Sequence, residues 1–396
     1  MALIRSFTLH NFQSFRDPVH VSLALNQHAP QDGRSFVAPS GDRLSKALAI
    51  VGANGSGKTA LIKGLAFIHW FISDSFHARP DEPIAINPHF ASPGELSEFE
   101  VEFEMDGKPW RYRLVASSER VHAESLHVKQ SRTYSYVFTR QWEPGLKRYV
   151  IKQQQFGMLQ KEAEKVRENA SLISTAAQYQ VPLAVQLTQR LLRSNLHVLG
   201  RKPIDHDQLL KVSQFYARNE HLRKRMARLL SQWDLGLSDV RLQKQTITRD
   251  NGETEDVYLP FGIHRVGEAE HALVFFHESS GTQGAFLLLS RLLPVLEAGG
   301  LAVIDELEAD LHPHMLVPIL DLFFSANTNP HNAQLVFTCH SMEVLSLLHK
   351  AQVVLVEKGG DCCSEAWRLD TVKGVRSDDN LYAKYMAGAY GAVPQL

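Results

Sequence analysis

The sequence has few cysteines, and those it has do not form a recognisable site. Three of the 396 residues are cysteine, namely Cys339, Cys362 and Cys363. Their spacing matches no metal-binding motif, and adjacent cysteines rarely form a disulfide because the geometry is strained. The sequence therefore argues against a disulfide-stabilised secreted domain, and we expect a reducing, cytoplasmic compartment.

Long apolar runs and an excess of charge of one sign are also absent. No segment reaches the ~20 consecutive apolar residues of a membrane helix, and the N-terminus lacks the pattern of a targeting peptide. The 42 Lys and Arg residues balance 43 Asp and Glu residues, for a formal net charge of -1. Overall charge thus favours neither a membrane nor a nucleic acid, and any DNA contact must come from a local patch.

The residues that are present are typical of a folded α/β protein. Hydrophobic residues make up 44% of the chain and charged residues 21%. The length fits two or three domains, or one large domain with an inserted lobe. Alternating patterns predict a hairpin in residues 1–25, a strand at 47–51 and a strand meander at 97–139 with a turn at Asp106-Gly107.

The middle of the chain has helical patterns instead. Helix-like periodicity covers residues 156–179, 181–196 and 205–233. This predicts a helical insertion whose basic face either meets the phosphates of DNA or is a solvated surface. The basic residues of this face are Arg218, Arg223, Lys224, Arg225 and Arg228.

The last third of the chain alternates strands and helices after a hairpin that turns at residues 250–252. This alternation predicts an α/β fold with a mainly parallel sheet, and ligands at the carboxyl ends of its strands. The predicted elements are a helix at 282–296, a strand at 301–304, a helix at 313–324, a strand at 334–338, a helix from Met342 and a strand at 353–357. We divide the chain into an N-terminal core part with an antiparallel β subdomain (1–150), a helical lobe (151–236) and a C-terminal core part (237–396).

A phosphate-binding motif follows the strand at 47–51. The segment GANGSGKT matches G-x-x-x-x-G-K-[ST] between an apolar strand and an apolar-periodic helix. In such a loop the backbone wraps around phosphates, Lys58 neutralises phosphate oxygens and the Thr59 hydroxyl reaches Mg²⁺. The predicted ATP-binding residues are Gly52, Asn54, Gly55, Ser56, Gly57, Lys58 and Thr59.

A pair of acidic residues ends the apolar strand at 301–304. Asp305 is placed to join Thr59 in holding Mg²⁺. Glu306 is placed to activate a water molecule for attack on the γ-phosphate. The sequence therefore predicts ATP hydrolysis.

The segment at 278–284, ESSGTQG, resembles the signature loop of ABC-type ATPases, Leu-Ser-Gly-Gly-Gln. Ser279 and Gly281 fit this loop, whereas Glu278 replaces the leucine and Thr282 the glutamine. Residues 308–312 resemble the family's D-loop in its His-Pro-ended form, and His340 resembles its switch histidine.

The resemblance implies an ABC-ATPase-like P-loop core that binds two ATP molecules between two subunits. Each γ-phosphate would meet Lys58, Glu306 and His340 of one chain and Ser279 and Gly281 of the other. One copy of each motif is present, so the resemblance implies a homodimer or a larger homo-oligomer. The glutamine that this family places between the phosphate loop and the inserted lobe stays unassigned.

The opening NFQSF at residues 11–15 resembles the N-x-x-S-F start of RecF-like, SMC-like and OLD-like ATPases. The whole chain is similar to the stand-alone RloA/AbiL-like ATPases of phage-defence and abortive-infection operons, including residues 168–172 and 385–394. OLD enzymes carry a C-terminal Toprim nuclease. In this sequence fewer than 40 residues follow Glu357 and Asp361, which is too few for such a domain. We therefore expect no nuclease in this chain.

Three functions remain open from the sequence. The first is an ATPase that senses infection and regulates an effector, a nuclease or toxin, encoded beside it. The second is a RecF-like repair ATPase that binds duplex DNA in its ATP-closed dimer. The third is a scaffold that is clamped by ATP with little turnover.

Overall fold

The computed structural model describes residues 3–27, 29–189, 192–197, 200–201, 204–248 and 254–393. The turn expected at 250–252 lies outside these residues, as does Pro394.

The strands, in chain order, are β1 (Leu3–His10), β2 (Val19–Ser22), β3 (Ser35–Val37), β4 (Arg43–Ser45), β5 (Ala47–Val51), β6 (Ser97–Met105), β7 (Lys108–Ala116), β8 (Val121–Lys129), β9 (Tyr134–Glu143), β10 (Arg148–Gln153), β11 (Leu192–Ser194), β12 (Leu196–His197), β13 (Gly200–Arg201), β14 (Asp239–Thr248), β15 (Thr254–Val266), β16 (Ala269–Val274), β17 (Leu301–Ile304), β18 (Gln334–Thr338), β19 (Val353–Lys358) and β20 (Ser364–Arg368).

The α-helices differ widely in length, and the two longest, α1 and α7, pack close to the core sheet. In chain order they are α1 (Lys58–Asp74), α2 (Gln160–Ala163), α3 (Leu172–Gln178), α4 (Pro182–Thr188), α5 (His206–Arg218), α6 (Glu220–Gln232), α7 (Ser280–Ala298), α8 (Leu316–Phe324), α9 (Val344–Leu347) and α10 (Leu381–Met386). None of the helices in the described ranges is both long and apolar enough to span a membrane.

The central sheet has six strands in the order β11-β17-β18-β5-β19-β20. All neighbouring pairs are parallel except the last, in which β20 runs antiparallel to β19. The predicted mainly parallel sheet is therefore confirmed. Because β5, β17 and β18 run in the same direction, the phosphate loop, the acidic pair and His340 all follow strands at one edge of this sheet.

A second sheet is antiparallel, with the order β10-β9-β8-β7-β6-β1-β2. It contains the predicted N-terminal hairpin and the meander, and β6 and β7 are joined by the two-residue turn at Asp106-Gly107. Both turn residues have positive φ, 51° and 73°. Positive φ at both positions is the requirement of a tight hairpin turn that matches the strand twist.

The central sheet separates two apolar cores. Successive side chains of a strand point to opposite faces, so β5 contributes Leu48 and Ile50 to one core and Ala47, Ala49 and Val51 to the other. The first core also holds α1, α3, α4 and the inner face of the antiparallel sheet. The second core holds α5 to α8 and the C-terminal helices.

The middle segment differs from its prediction at three places. The helical pattern over 156–179 forms α2 and α3 with a non-helical stretch at 164–171, where the carbonyl oxygens of Arg167 and Ala170 accept hydrogen bonds from the buried Arg140. The pattern over 205–233 is divided at Asn219 into α5 and α6. The helix expected over 181–196 ends at Thr188, and residues 192–194 form β11, which pairs with β17. Pairing at an open sheet edge outweighs local helix propensity here. Segments within 151–236 thus contribute to both apolar cores, and the domain boundaries at 150 and 236 stay predictions.

Candidate active site

The phosphate loop runs from the end of β5 to the start of α1, and two of its glycines have no room for a side chain. A Cβ at Gly52 would lie 2.1 Å from the carbonyl oxygen of Val356. Gly57 has φ 113°, and a Cβ there would lie 2.5 Å from the Ser364 hydroxyl. Glycine at these positions lets the loop fold against β19 and β20, with the N-terminus of α1 at its end.

Lys58 is almost buried at the start of α1, with 5% of its surface exposed. Its Nζ donates hydrogen bonds to the carbonyl oxygens of Gly52 (2.9 Å) and Ala53 (3.0 Å). Burial lowers the pKa of Lys58, and the carboxylates of Asp305 and Glu306 oppose this shift. The lysine is therefore a desolvated cation, and phosphate oxygens can replace the loop carbonyls as its partners.

Asp305 lies at the carboxyl end of β17 and faces the first turn of α1. The Thr59 hydroxyl is 3.1 Å from both carboxylate oxygens, and the Thr338 hydroxyl donates to Oδ1 at 2.7 Å. The Asn195 side chain pairs with the Asp305 main chain through two hydrogen bonds, of 2.7 and 2.8 Å. The two residues predicted to hold Mg²⁺, Thr59 and Asp305, are thus in direct contact.

Glu306 and His340 face each other across the same edge of the sheet. Glu306 has a left-handed backbone with φ 50°, and its N–H donates to the Thr338 hydroxyl at 2.7 Å. Its Oε1 lies 3.2 Å from His340 Nε2. Both side chains line a cleft of about 590 Å³ together with residues 54–59. The structure therefore brings the predicted catalytic residues and the phosphate loop to one cleft.

Three further residues, Thr338, Glu308 and Asn195, hold this cleft together. The sequence analysis placed Glu308 in the D-loop segment but gave none of the three a role at the cleft. Thr338 bridges the main chain of Glu306 and the carboxylate of Asp305. Glu308 Oε1 accepts hydrogen bonds from the main-chain N–H groups of His340 and Ser341. A polar residue at the end of an apolar strand was an available signal for Thr338. Asn195, the third, lay within a predicted helix and gave no such signal.

The signature residues lie elsewhere. Ser279 is exposed and caps α7, where its Oγ accepts a hydrogen bond from the Thr282 N–H at 3.2 Å. Gly281 packs against the D-loop, since a Cβ at this position would lie 2.7 Å from the Asp310 carbonyl oxygen. Among the described residues, neither Ser279 nor Gly281 lines the cleft.

The cleft has the donor set that ATP and Mg²⁺ require. The Ser56 hydroxyl, in the phosphate loop, is buried and has no hydrogen-bond partner within the described residues. Thr59 and Asp305 supply the hydroxyl and carboxylate oxygens that Mg²⁺ prefers, with phosphate and water completing its shell. The described part of the chain has no cluster of three or more His, Cys, Asp and Glu residues suited to a metal. The residues present therefore fit a magnesium nucleotide rather than an all-protein metal site.

The basic face of α5 and α6 is partly occupied within the chain. Arg223 and Lys224 contact Glu220 at 3.8 and 2.9 Å. Arg225 donates a hydrogen bond to the carbonyl oxygen of Thr328 at 2.8 Å. Three of the five basic residues considered for DNA contact are thus engaged on the protein itself.

Two solved structures are similar to this chain at low identity. The SMC head domain from Thermotoga maritima matches with 13% identity and a TM-score of 0.43, over 92% of this chain and 98% of that chain. The SMC head domain with a coiled coil and joint derived from Pyrococcus yayanosii matches with 11% identity and a TM-score of 0.46, over 98% of this chain and 100% of that chain.

A search of curated proteins finds no match. The family model described as "AAA domain, putative AbiEii toxin, Type IV TA system" matches residues 48–346. This range is more than half of the chain and contains the phosphate loop, the acidic strand and His340. The chain therefore belongs to this family of P-loop ATPase domains.

Proposed function

We propose that this protein hydrolyses ATP at composite sites between two copies of itself. The observation that carries the proposal is the division of the motifs within one chain. Lys58, Thr59, Asp305, Glu306 and His340 share a cleft, whereas the signature residues lie outside it. A signature loop on a second copy would complete each cleft.

Binding of ATP follows from the phosphate loop. The N-terminus of α1 and the ammonium of Lys58 provide positive charge for the β- and γ-phosphates. Thr59 and Asp305 are the residues that would hold Mg²⁺, and this ion, when bound, neutralises charge on the phosphate oxygens. Thr338 and Asn195 keep the Asp305 carboxylate in place for this role.

Hydrolysis needs a base beside the phosphate loop, and Glu306 is placed for it. The Glu306 carboxylate accepts a proton from water as the water oxygen bonds to the γ-phosphorus. The bond between that phosphorus and the bridging oxygen of ADP breaks, which gives ADP and phosphate. His340, 3.2 Å from Glu306 Oε1, orients the carboxylate.

The second half of each site is the exposed end of α7. The 19-residue helix α7 begins at Ser280, directly after its capping residue Ser279. Oriented N–H groups and a hydroxyl at such a position are suited to a phosphate. Each chain has one cleft and one such loop. In a two-fold symmetric dimer the cleft of each chain therefore meets the loop of the other, which gives two equivalent sites.

A mixing experiment tests the composite site. Lys58→Ala removes the phosphate contact, and Ser279→Arg blocks the signature loop, so each variant alone is expected to be inactive. A mixture of the two variants forms heterodimers with one intact site. At that site Lys58 comes from the Ser279→Arg chain and Ser279 comes from the Lys58→Ala chain. We expect ATP hydrolysis to recover to about one quarter of the wild-type rate per chain when the variants mix randomly.

The control for this test is Ser231→Arg, which places the same bulk on an exposed serine of α6. This variant should hydrolyse ATP like the wild type. Full turnover by Ser279→Arg alone would contradict the composite site. Activity of Lys58→Ala alone would contradict the role of the phosphate loop.

We further infer that ATP turnover regulates a partner effector, a nuclease or toxin, in defence against phage. The family description names a putative AbiEii toxin and a type IV toxin–antitoxin system. The whole-chain resemblance to RloA/AbiL-like ATPases also supports this inference. The N-x-x-S-F segment, shared in pattern with RecF-like, SMC-like and OLD-like ATPases, lies against the phosphate loop, since the Ser14 hydroxyl would be 2.8 Å from a Cβ at Gly57. We place the chain in this defence branch.

The effector is tested by expressing Glu306→Gln from its native operon and purifying it with ATP and Mg²⁺. A product of a neighbouring gene bound at fixed stoichiometry, and toxic when expressed without the ATPase, supports the regulatory role. A bare dimer, or a dimer that carries only DNA, would instead favour the repair function. DNA affinity that depends on ATP and falls steeply with salt would distinguish the latter.

A further inference from the structure

Glu278 occupies the place of the leucine in the usual signature loop, and its carboxylate is nearly buried. The side chain is 6% exposed, and Oε1 lies 2.8 Å from Nε2 of His264 in β15. Gly262, also in β15, leaves room for this contact. A Cβ at Gly262 would lie 2.2 Å from the same carboxylate oxygen.

The hydrogen bonds of His264 define where its protons are. Nδ1 of the ring lies 3.0 Å from the carbonyl oxygen of Gly236, which can only accept a hydrogen bond. Nδ1 therefore carries a hydrogen, and Nε2 faces the Glu278 carboxylate. A hydrogen carried by either group must lie between Nε2 and Oε1, because two acceptors at 2.8 Å would repel each other. The contact is thus a direct hydrogen bond between the imidazole and the carboxyl group.

This hydrogen bond connects two parts of the molecule. His264 belongs to the three-stranded sheet β14-β15-β16, which packs on α5. Glu278 directly precedes Ser279, the cap of α7, and its carbonyl oxygen accepts a hydrogen bond from Gln283 Nε2 at 3.1 Å. The signature serine follows β16 through the short turn at Phe275–His277, and the contact between His264 and Glu278 adds a second link to the three-stranded sheet.

We propose that His264 and Glu278 are a positioning pair that holds Ser279 where it meets ATP bound to the second subunit. This inference rests on the proposed function. Without the pair the signature loop loses its side-chain link to β15 and is held less firmly, so the ATP-closed dimer is weakened. The cleft of the same chain is unchanged, because neither residue lines it.

The test separates ATP binding by one chain from ATP-driven dimerisation. In full-length Glu306→Gln protein with Mg²⁺ and ATP, we expect Glu278→Ala and His264→Ala each to weaken dimerisation by roughly 10- to 100-fold. The affinity of the monomer for ATP should stay within about twofold, since the cleft is untouched. The double variant should be no weaker than the poorer single variant, because both changes remove the same contact.

Conservative and matched variants complete the test. Glu278→Gln should restore dimerisation to within about threefold of the parent, because its amide can donate to Nε2 of a neutral His264. His271→Ala changes the exposed histidine that pairs with His264 on β16 and should have no effect.

The outcomes distinguish this inference from the proposed function. Normal dimerisation of Glu278→Ala and His264→Ala, with none for Ser279→Arg, would overturn the positioning pair alone. Lower ATP affinity of the monomeric variants would also overturn it, since that result shows a general structural role. Normal ATP-driven dimerisation of Ser279→Arg would refute the composite site itself.

Discussion

Glu124 and Asp305 are both buried carboxylates held by hydroxyl groups, but they differ in what lies beside them. Glu124, in β8, accepts hydrogen bonds from the Tyr112 hydroxyl (3.0 Å), the Ser171 hydroxyl (2.7 Å) and the Leu172 N–H (2.9 Å). The guanidinium of Arg140 is 3.3 Å away, and both charged side chains are fully buried. Burial beside this carboxylate raises the pKa of Tyr112 well above its usual value, which keeps the hydroxyl a donor.

Asp305 is 4% exposed and accepts hydrogen bonds from Thr59 and Thr338 in a similar way. The next residue, Glu306, lines an open cleft of about 590 Å³. A fixed guanidinium balances the charge of Glu124 in a closed core, whereas the charge of Asp305 lies beside space for a ligand. Burial and hydroxyl partners are thus common to Glu124 and to Asp305, the proposed magnesium ligand, and the cleft lined by the neighbouring Glu306 separates the two environments.

The largest expected effect is a loss of stability at the buried pair of Glu124 and Arg140. Glu124→Ala leaves Arg140 as a buried charge without its carboxylate, so we expect the free energy of unfolding to fall by about 3–5 kcal/mol. Denaturant unfolding monitored by circular dichroism measures the loss. The control is Glu98→Ala, which breaks an ion pair with Arg113 in which both side chains are more than a third exposed. It should cost less than about 1 kcal/mol, and equal losses for the two variants would remove the distinction.

The next largest expected effect is a loss of ATP turnover when Glu306 is changed. Glu306→Gln keeps the size and the position of the side chain but cannot accept a proton, so ATP turnover should fall by about 10²- to 10³-fold. ATP affinity should be retained, because Lys58 and Thr59 are unchanged. The dimer should then persist with ATP bound. Light scattering measures the dimer, and phosphate release measures the turnover. Turnover equal to that of the wild type would show that Glu306 is not the base.

A smaller effect is expected at Glu308, which acts on the cleft through main-chain groups. Glu308→Ala removes the acceptor for the N–H groups of His340 and Ser341, and we expect turnover to fall by about 10-fold. Glu308→Gln retains an oxygen at this place and should recover most of the rate. A loss of ATP affinity as large as the loss of turnover would argue against an effect through His340.

The sequence predicts the catalytic side of the comparison far better than the structural side. Residues 52–59 and 305–306 follow apolar strands, and their chemistry depends on order along the chain. Glu124, Arg140 and Ser171 come from separate elements and meet only through tertiary packing. No local pattern identifies such a contact. The alternation of apolar and polar residues in β8 and β9 predicts which side chains share one face of a strand, but it does not predict which residues of other elements they contact.

The same reason explains what the sequence missed in the central sheet. Leu192–Ser194 lies within the segment 181–196 that was predicted as helix, and its strand form depends on pairing with β17. Asn195 gains its role from that pairing, since it then lies beside the main chain of Asp305. A short edge strand and the side chain that follows it are set by the sheet that they join, and local propensity carries little information about either.

The smallest expected change in stability is at Lys58, the buried cation of the phosphate loop. Because burial is the main cause that lowers the pKa of Lys58, its charge costs stability while no phosphate is bound. Lys58→Met should therefore abolish ATP binding and yet raise the free energy of unfolding by about 1 kcal/mol. Lys63→Met, in the same helix but partly exposed, is the control and should change stability little.

The dependence of this gain on pH follows from the direction of the shift. The folded chain releases the Lys58 proton more readily than the unfolded chain, so stability of the wild type rises with pH as Lys58 deprotonates. The advantage of Lys58→Met should thus be largest at the lowest pH values tested and shrink as the pH approaches the ordinary lysine value of 10.5. Melting curves without nucleotide at several pH values measure it. A lower stability of Lys58→Met at neutral pH would mean that the loop carbonyls and carboxylates already compensate the buried charge, as Arg140 does for Glu124.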